Sequence, residues 1–260
     1  MSQAIYQHYR PSEKHFIDQV LHWLTQVETR YAPMLTPFLT PREAQIVTQL
    51  TGRYEDIQVA FHGLFPEAER QRALFYPSYM EAELADFQLT LIEVKFALKF
   101  AELTHQRILG TVLSTGLERN RIGDIVTDGT RWQFVVDEKV ASFLQQQVTK
   151  VASHGVQLEI TDVDNLIVSS QVWQTETVVS SALRLDAVLA KVYAMSRQNS
   201  KERIQAGHVK VNFVEVLQPD FELGMSDLVS VRKYGRFIVQ EMEGMTKKDN
   251  YRLKINKLSR

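Results

Sequence analysis

Apolar positions along the chain change period twice, and the changes divide it into three stretches. In the first, to about residue 70, Phe16, Ile17, Val20, Leu21, Leu24 and Val27 recur at helical spacing and predict one amphipathic helix. A second helix is predicted to start at Thr40-Pro41-Arg42-Glu43, with a capping threonine, a proline in the first turn and a glutamate three residues on. Ile46, Val47 and Leu50 supply its apolar face and Gly52 a stop. Pro33, Pro37 and Pro41 mark the joint between these helices. Leu35, Phe38 and Leu39 are read as buried in that joint, with an exposed docking element as the alternative. Residues 1–70 are therefore expected to form a helical N-terminal domain.

The second stretch, residues 71–180, mixes two periods. Gln88 to Phe96 alternates and is β-branched, a strand signature, and Ile108, Leu109, Val112 and Leu113 share a helix face that ends at Gly116. Asp124–Thr127 and Trp132–Val136 flank Asp128-Gly129, a strong hairpin signal. Val140, Phe143, Leu144, Val148 and Val151 predict a helix, and Val156–Ile160 a last strand. Strand–helix–strand–strand–helix–strand is the order of ferredoxin-like (RRM-like) domains, a fold that many RNA-binding domains share with unrelated proteins. No aromatic-rich RNA-reading strand is visible, and Trp132 and Phe134 are assigned to the core rather than to a base platform.

The third stretch, residues 181–260, predicts two short helices followed by strands. Leu183 to Met195 follows Ser180-Ser181, both acceptable caps, and buries Leu185, Val188, Leu189 and Val192. Ser196 opens the second helix, which stops at Gly207 with Ile204 pointing inward and Arg197 and Lys201 on one cationic face. Val209 and Val211 alternate with Lys210 and Asn212, and strands at 228–232 and 236–240 surround Lys233-Tyr234-Gly235. The fold class expected for the whole chain is α+β.

Charge sharpens this division. The chain carries 30 Lys plus Arg and 31 Asp plus Glu, yet residues 182–260 hold 15 basic and 9 acidic side chains, a net of +6, leaving −7 for the remainder. A basic end on an otherwise acidic chain is where polyanion contacts are expected, although a charge run alone is more often a solvated face. Packed together, the short helices and small sheet are expected to bring Arg184, Arg197, Lys201, Lys210, Arg232, Lys233 and Arg236 near one another. Guanidinium groups grip phosphate oxygens bidentately and lysines add point charge, which suits a folded RNA backbone.

Composition removes several alternatives. With 44% apolar and 23% charged residues the chain is globular, and its 260 residues suit two or three domains. It has no cysteine, so disulfides, thiolate metal sites and thiol nucleophiles are excluded. No run of 18 apolar residues and no basic-then-apolar opening at Met1-Ser2-Gln3-Ala4 is present, so no membrane partner and a cytoplasmic protein are expected. There is no phosphate-cradling loop, no Gly-x-Gly-x-x-Gly turn and no Gly-x-Ser-x-Gly elbow. His8, His15 and His22 recur every seven residues; on one helix their rings would stand about 10 Å apart, too far to share a metal. His154 and His208 read as helix-end residues, and Asp162 and Asp164 as loop or cap acids. Neither a cofactor, a metal site nor a catalytic residue is expected.

Arg184-Leu185-Asp186-x-x-Leu189, then Ser196-Arg197, then Ile204-x-x-Gly207-x-Val209-x-Val211-Asn212 resembles the S4 RNA-binding domain, named after small-subunit ribosomal protein four. Leu109-Gly110 and Arg121-Ile122-Gly123-Asp124 resemble the pattern of the YlmH family, bacterial S4 proteins often encoded beside cell-division genes, and the resemblance covers most of the chain. It implies a non-enzymatic protein that binds structured ribosomal or transfer RNA, with the ribosome as partner and translation quality control or rescue of stalled large subunits as the setting. It implies RNA contacts at Arg184, Arg197, Lys201 and Lys210, extended here to Asn212, Arg232, Lys233 and Arg236, and a structural role for Asp186. The chain departs from the family at Ser226-Asp227, where Gly-Asp is usual, and at Lys233, where a glycine is usual. The alternatives are a pseudouridine synthase, whose catalytic Arg-Leu-Asp would have to be 184–186 itself, and a cell-division module docking a protein through the acidic N-terminal half.

Overall fold

The computed structural model describes residues 6–97, 103–168 and 172–259; the Met1–Ala4 opening lies outside them. The chain forms two compact units, Met1–Ser170 and Gln171–Arg260.

In the first unit, helix α1 (Lys14–Arg30) buries Ile17, Val20, Leu24 and Val27 of the stripe the periodicity marks, together with Trp23, while Phe16 and Leu21 are only partly buried. Strand β1 (Met34–Leu39) leads into α2 (Pro41–Thr51). The capping box is present: Glu43 N donates to the Thr40 hydroxyl at 3.2 Å, and Thr40 N donates to the Glu43 carboxylate at 2.7 Å. Strands β2 (Ile57–His62) and β3 (Gln71–Pro77) then pair with β1 in an antiparallel sheet of order β1-β3-β2. The expectation of a helical N-terminal segment is thus corrected: a three-stranded sheet backs the two helices, and it extends past residue 70. Pro37 hid β1. Proline is tolerated in a strand at an edge or a bulge, and β1 is an edge strand whose register shifts between Leu35 and Phe38. There the Thr36 hydroxyl accepts from Ala73 N at 2.9 Å and stands in for a ladder carbonyl.

The same unit continues through β4 (Leu89–Phe96), α3 (His105–Ser114), β5 (Ile122–Thr127), β6 (Trp132–Asp137), α4 (Glu138–Gln147), β7 (Lys150–Val151) and β8 (His154–Thr161). The sheet order is β5-β6-β4-β8-β7, with all neighbours antiparallel. Ile92, Val94 and Phe134 pack with Ile108 and Val112 of α3 and Leu144 of α4. One helix is shorter than its apolar spacing predicts: α4 ends at Gln147, and Val151 lies in β7. His154 accordingly belongs to the tight β7–β8 pairing, not to a helix end.

The sheet face away from α3 and α4 is covered over Leu91, Glu93, Gln133 and Val135, while Lys95, Arg131 and Glu159 on it stay close to half exposed. Leu91 and Val135 pack against Phe38, Leu64 and Phe65 of the N-terminal region. Beside them Glu93 is 4% exposed and Gln133 is 0% exposed. Gln133 donates to Glu93 at 3.1 Å and to the Asn165 carbonyl at 2.9 Å, and accepts from Ile167 N at 3.0 Å, so the 165–167 segment lies over it. Hydrogen bonds from Arg131, opposed by burial and reinforced by Lys95 and Gln133, hold the Glu93 carboxyl down at about 2. An ionised acid under a polypeptide strap is no platform for bases.

Arg121-Ile122-Gly123-Asp124 ties the two layers of this unit together. Arg121 pairs with buried Asp137 at 2.5 Å, and Ile122 is in the core. A Cβ on Gly123 would stand 2.7 Å from the Phe38 ring, so only glycine lets the aromatic seat. Asp124 accepts from the backbone N–H groups of Glu69 at 2.6 Å and Arg70 at 3.2 Å.

The second unit holds β9 (Gln174–Ser180), α5 (Leu185–Val192), α6 (Arg197–Gln205), β10 (Val209–Val211), β11 (Val214–Glu215), β12 (Leu228–Val231), β13 (Gly235–Met245) and β14 (Tyr251–Ser259). They form a six-stranded antiparallel sheet of order β11-β10-β12-β13-β14-β9. Residues 174–180 therefore pair with β14 in this sheet. Leu185, Val188 and Leu189 of α5 and Ile204 of α6 pack on Val209, Val211, Val229, Phe237 and Ile255, so both helices cover one sheet face.

Candidate nucleic-acid interface

The start of α5 is built around a buried acid. Ser180 and Ser181 do not cap it, as their spacing suggested. Arg184 occupies the cap position, and the first two helical amides are satisfied by an adjoining loop: Leu185 N donates to the Phe221 carbonyl at 2.8 Å and Asp186 N to the Pro219 carbonyl at 3.0 Å. The Asp186 side chain, 0% exposed, takes Arg184 Nε and Nη2 at 3.2 and 3.3 Å and Arg197 Nε and Nη2 at 3.1 and 3.5 Å. The two arginine side chains are 42% and 50% exposed. One carboxylate thus orients two guanidinium groups from separate helices, and each keeps donors outside this contact for a second anion. The three groups together retain one net positive charge.

Burial pushes the Asp186 carboxyl up, but the hydrogen bonds and charges of Arg197 and Arg184 outweigh it and leave it below its ordinary 3.8. A depressed carboxylate stabilises the fold above its unfolded-state value and stops doing so as pH falls through its folded value. Acid titration of thermal stability is therefore expected to show the second unit losing stability below about pH 4, with Asp186→Asn flattening that loss. An unchanged acid limb in the variant would contradict this role.

Ser196 caps α6, its hydroxyl accepting from Asn199 N at 3.1 Å. Ser200 and Ile204 face inward at 0% exposure, which leaves Arg197 and Lys201, one turn apart, along one edge of the helix. α6 closes at Gly207, with φ of 71°, where the N–H of His208 reaches back to the Arg203 carbonyl at 3.0 Å.

The remaining cations lie elsewhere. Val209 and Val211 point into the core, so Lys210 between them projects from the opposite sheet face. Arg236 pairs with Ser230, which pairs with Lys210. Lys210 and Arg236 are therefore two strand spacings apart, about 10 Å, on the face away from α5 and α6. The Arg236 guanidinium lies 5.4 Å from the centre of the Trp173 ring. Arg232 and Lys233 are exposed in the β12–β13 turn, and Arg232 N donates to the His208 carbonyl at 2.9 Å. The structure joins Arg184 to Arg197 and sets Lys201 beside them, but it distributes Lys210, Arg232, Lys233 and Arg236 over the sheet face and its end rather than gathering seven cations in one cluster.

Asn212 has an internal task. Its amide donates to Asp227 at 2.8 Å and its carbonyl accepts from Leu228 N at 3.0 Å, locking the β10–β11 hairpin to β12. Arg203 was not singled out by the sequence. It stacks 4.5 Å from the centre of the Tyr234 ring and donates to the Tyr234 hydroxyl at 3.2 Å, a contact between residues 31 apart that no local pattern announces. The two departures from the family pattern also resolve. Ser226 and Lys233 adopt φ of 62° and 72°, the left-handed conformation that glycine takes freely, at a cost of about 1–3 kcal/mol each.

Outside this region the candidate residues are structural. Asp162 caps a short turn by accepting from Asp164 N at 3.0 Å, and His22 bonds Gln26 on its own helix at 2.8 Å. Among the described residues no three His, Asp or Glu side chains stand close enough to hold a metal ion, and no helix is long and apolar enough to cross a membrane.

Three family models match consecutive parts of the chain: the YlmH N-terminal model at residues 12–80, a putative RNA-binding domain in YlmH at 82–165, and the S4 domain at 183–229. A curated relative, ribosome-associated protein quality control protein P2 of Bacillus subtilis (strain 168), is 39% identical over 249 residues, covering 96% of each chain. A solved structure of the cell division protein ylmH from Streptococcus pneumoniae aligns with 34% identity over 63% of this chain and 99% of that one, with a TM-score of 0.55. Three models in the same order, together with a relative this similar along nearly its whole length, show that the chain belongs to the YlmH family, with its S4 domain at the C-terminus.

Proposed function

We propose that the chain is a cytoplasmic, ribosome-associated RNA-binding protein of translation quality control, which holds ribosomal or transfer RNA by its phosphates and performs no bond chemistry. The observation that carries this reading is the pair Arg184 and Arg197, oriented by buried Asp186 and half exposed within the S4 match. Such pre-positioned guanidinium groups lose little freedom on meeting phosphate oxygens, and Lys201 adds a third cation along the same edge. The relative's name supports the ribosomal setting. The middle strands run β5-β6-β4-β8, which fits a ferredoxin-like domain, and the family model there is described as RNA-binding.

Filter binding of purified ribosomal RNA and transfer RNA over a salt series tests the reading. The logarithm of affinity is expected to fall linearly with the logarithm of salt, by roughly 0.7–0.9 for each phosphate neutralised. Affinity independent of salt, or no binding at low salt, would contradict it.

A further inference from the structure

The β12–β13 turn is anchored to α6 and, through Tyr193, to the ends of α5 and β14. Arg232 N donates to the His208 carbonyl at 2.9 Å, just past α6, and Tyr234 N closes the turn on the Val231 carbonyl at 3.0 Å. The Arg203 guanidinium stands 4.5 Å from the centre of the Tyr234 ring and reaches its hydroxyl, while Arg203 Nε donates to Asn199 Oδ1 at 2.8 Å one turn back in α6. Both partners are neutral, so Arg203 keeps its full charge. Tyr193, which follows α5, meets Tyr234 edge-on with ring centres 5.3 Å apart. Lys257 of β14 stands 5.0 Å from the centre of the Tyr193 ring and donates to the Val192 carbonyl at 2.8 Å. Between these anchors Arg232 and Lys233 are exposed. Lys233 holds φ of 72°, where glycine would be unstrained, so the anchored turn carries a cation at a position that favours a residue without one.

We infer that this turn is a second phosphate grip, with Arg232 and Lys233 as the contacts and Arg203 and Tyr234 as positioning residues. The inference rests on the RNA-binding reading above and adds a place where the RNA backbone is held. Successive residues of a helix turn by about 100°, so Arg203, two residues after Lys201, leaves α6 on the opposite flank. Tyr234 and its turn therefore lie across α6 from the edge that bears Arg197 and Lys201. A helix with its side chains is about 10–12 Å across, too wide for one phosphate to reach both flanks, and the two grips take separate phosphates. Pinning the turn in advance spares the cost of ordering it on binding. Two adjacent exposed cations, in a segment of net charge +6, suit a polyanion.

Affinity of the full-length protein for purified ribosomal RNA over a salt series tests the inference with two kinds of variant. Lys233→Gly relieves the left-handed position and removes one cation. It is expected to bind roughly three- to tenfold more weakly at low salt, with a salt slope smaller by about 0.7–0.9. Unchanged affinity and slope in Lys233→Gly overturn the phosphate contact while leaving RNA binding in place. Tyr234→Leu removes the ring and no charge. It is expected to lower both affinity and salt slope, which a merely structural role would not do, and to have no further effect once Arg232→Ala and Lys233→Ala are present. An unchanged slope in the native background, or an equal loss of affinity in both backgrounds, overturns the positioning role. Should Tyr234→Leu melt early, Tyr234→Phe, which keeps the ring and loses the hydroxyl that Arg203 reaches, is read in the same two backgrounds by the same criteria. Failure of the wild type to bind RNA at any salt removes the RNA-binding reading itself.

Discussion

Asp137→Ala is expected to destabilise the first unit by about 3–5 kcal/mol. Asp137 is 1% exposed at the end of β6. It faces Arg72, itself 4% exposed, at 3.5 Å, and Arg121 at 2.5 Å, and accepts from Lys139 N at 3.1 Å as the cap of α4. Removing it leaves the Arg72 charge buried without its carboxylate and uncaps the helix, a loss of about 1 kcal/mol in itself. Arg72 keeps carbonyl contacts to Thr36 at 2.7 Å and to Phe87 and Gln88 at 3.2 Å, which holds the loss within this range. Arg121→Ala is the contrast, because that side chain is 42% exposed and a partly solvated ion pair contributes about 0–1 kcal/mol. Urea unfolding followed by fluorescence reads both variants, with Trp23 and Trp132 reporting from this unit. Equal midpoints for Asp137→Ala and wild type would show that Asp137 does not join the layers.

Arg197→Ala combined with Lys201→Ala is expected to lower RNA affinity roughly 10- to 100-fold at low salt, across RNA sequences, and to reduce the salt slope by about 1.4–1.8. The two residues share one edge of α6 and neither anchors the hydrophobic core. Arg197 does satisfy half of Asp186, so Arg184 must hold that buried carboxylate alone in the variant. A thermal melt therefore accompanies the binding curve, and Arg197→Lys with native Lys201 keeps the charge while removing the fork. Affinity should fall less in that lysine variant than in the double alanine variant, and its salt slope should stay near wild type.

Much of the architecture was readable from local pattern. The apolar stripe of α1, the Thr40 capping box, the Asp128-Gly129 hairpin and the Ser196 cap each involve residues a few positions apart, and each formed as the spacing implied. What escaped was long-range or masked by one residue. Pro37 disguised β1, although Ile57, Val59 and Phe61 in β2 alternate openly. β14 also alternates, with Leu253 and Ile255 inward, but its pairing with β9 joins segments about 75 residues apart. At the candidate interface the Arg-Leu-Asp motif exposed the arginine–aspartate cluster, whereas the side of the sheet taken by Lys210 required the Val209–Val211 alternation to be followed into three dimensions. The stacking of Arg203 on Tyr234 and of Arg236 on Trp173 had no local signal.

The central claim is that the C-terminal unit holds ribosomal or transfer RNA through oriented cations. Co-sedimentation with purified ribosomal subunits, at low and moderate salt, tests it most directly with wild type beside the Arg197→Ala/Lys201→Ala variant. The account predicts salt-sensitive pelleting of the wild type with one subunit and its loss in the folded variant. Pelleting that persists unchanged in the variant, or that ignores salt, would contradict it.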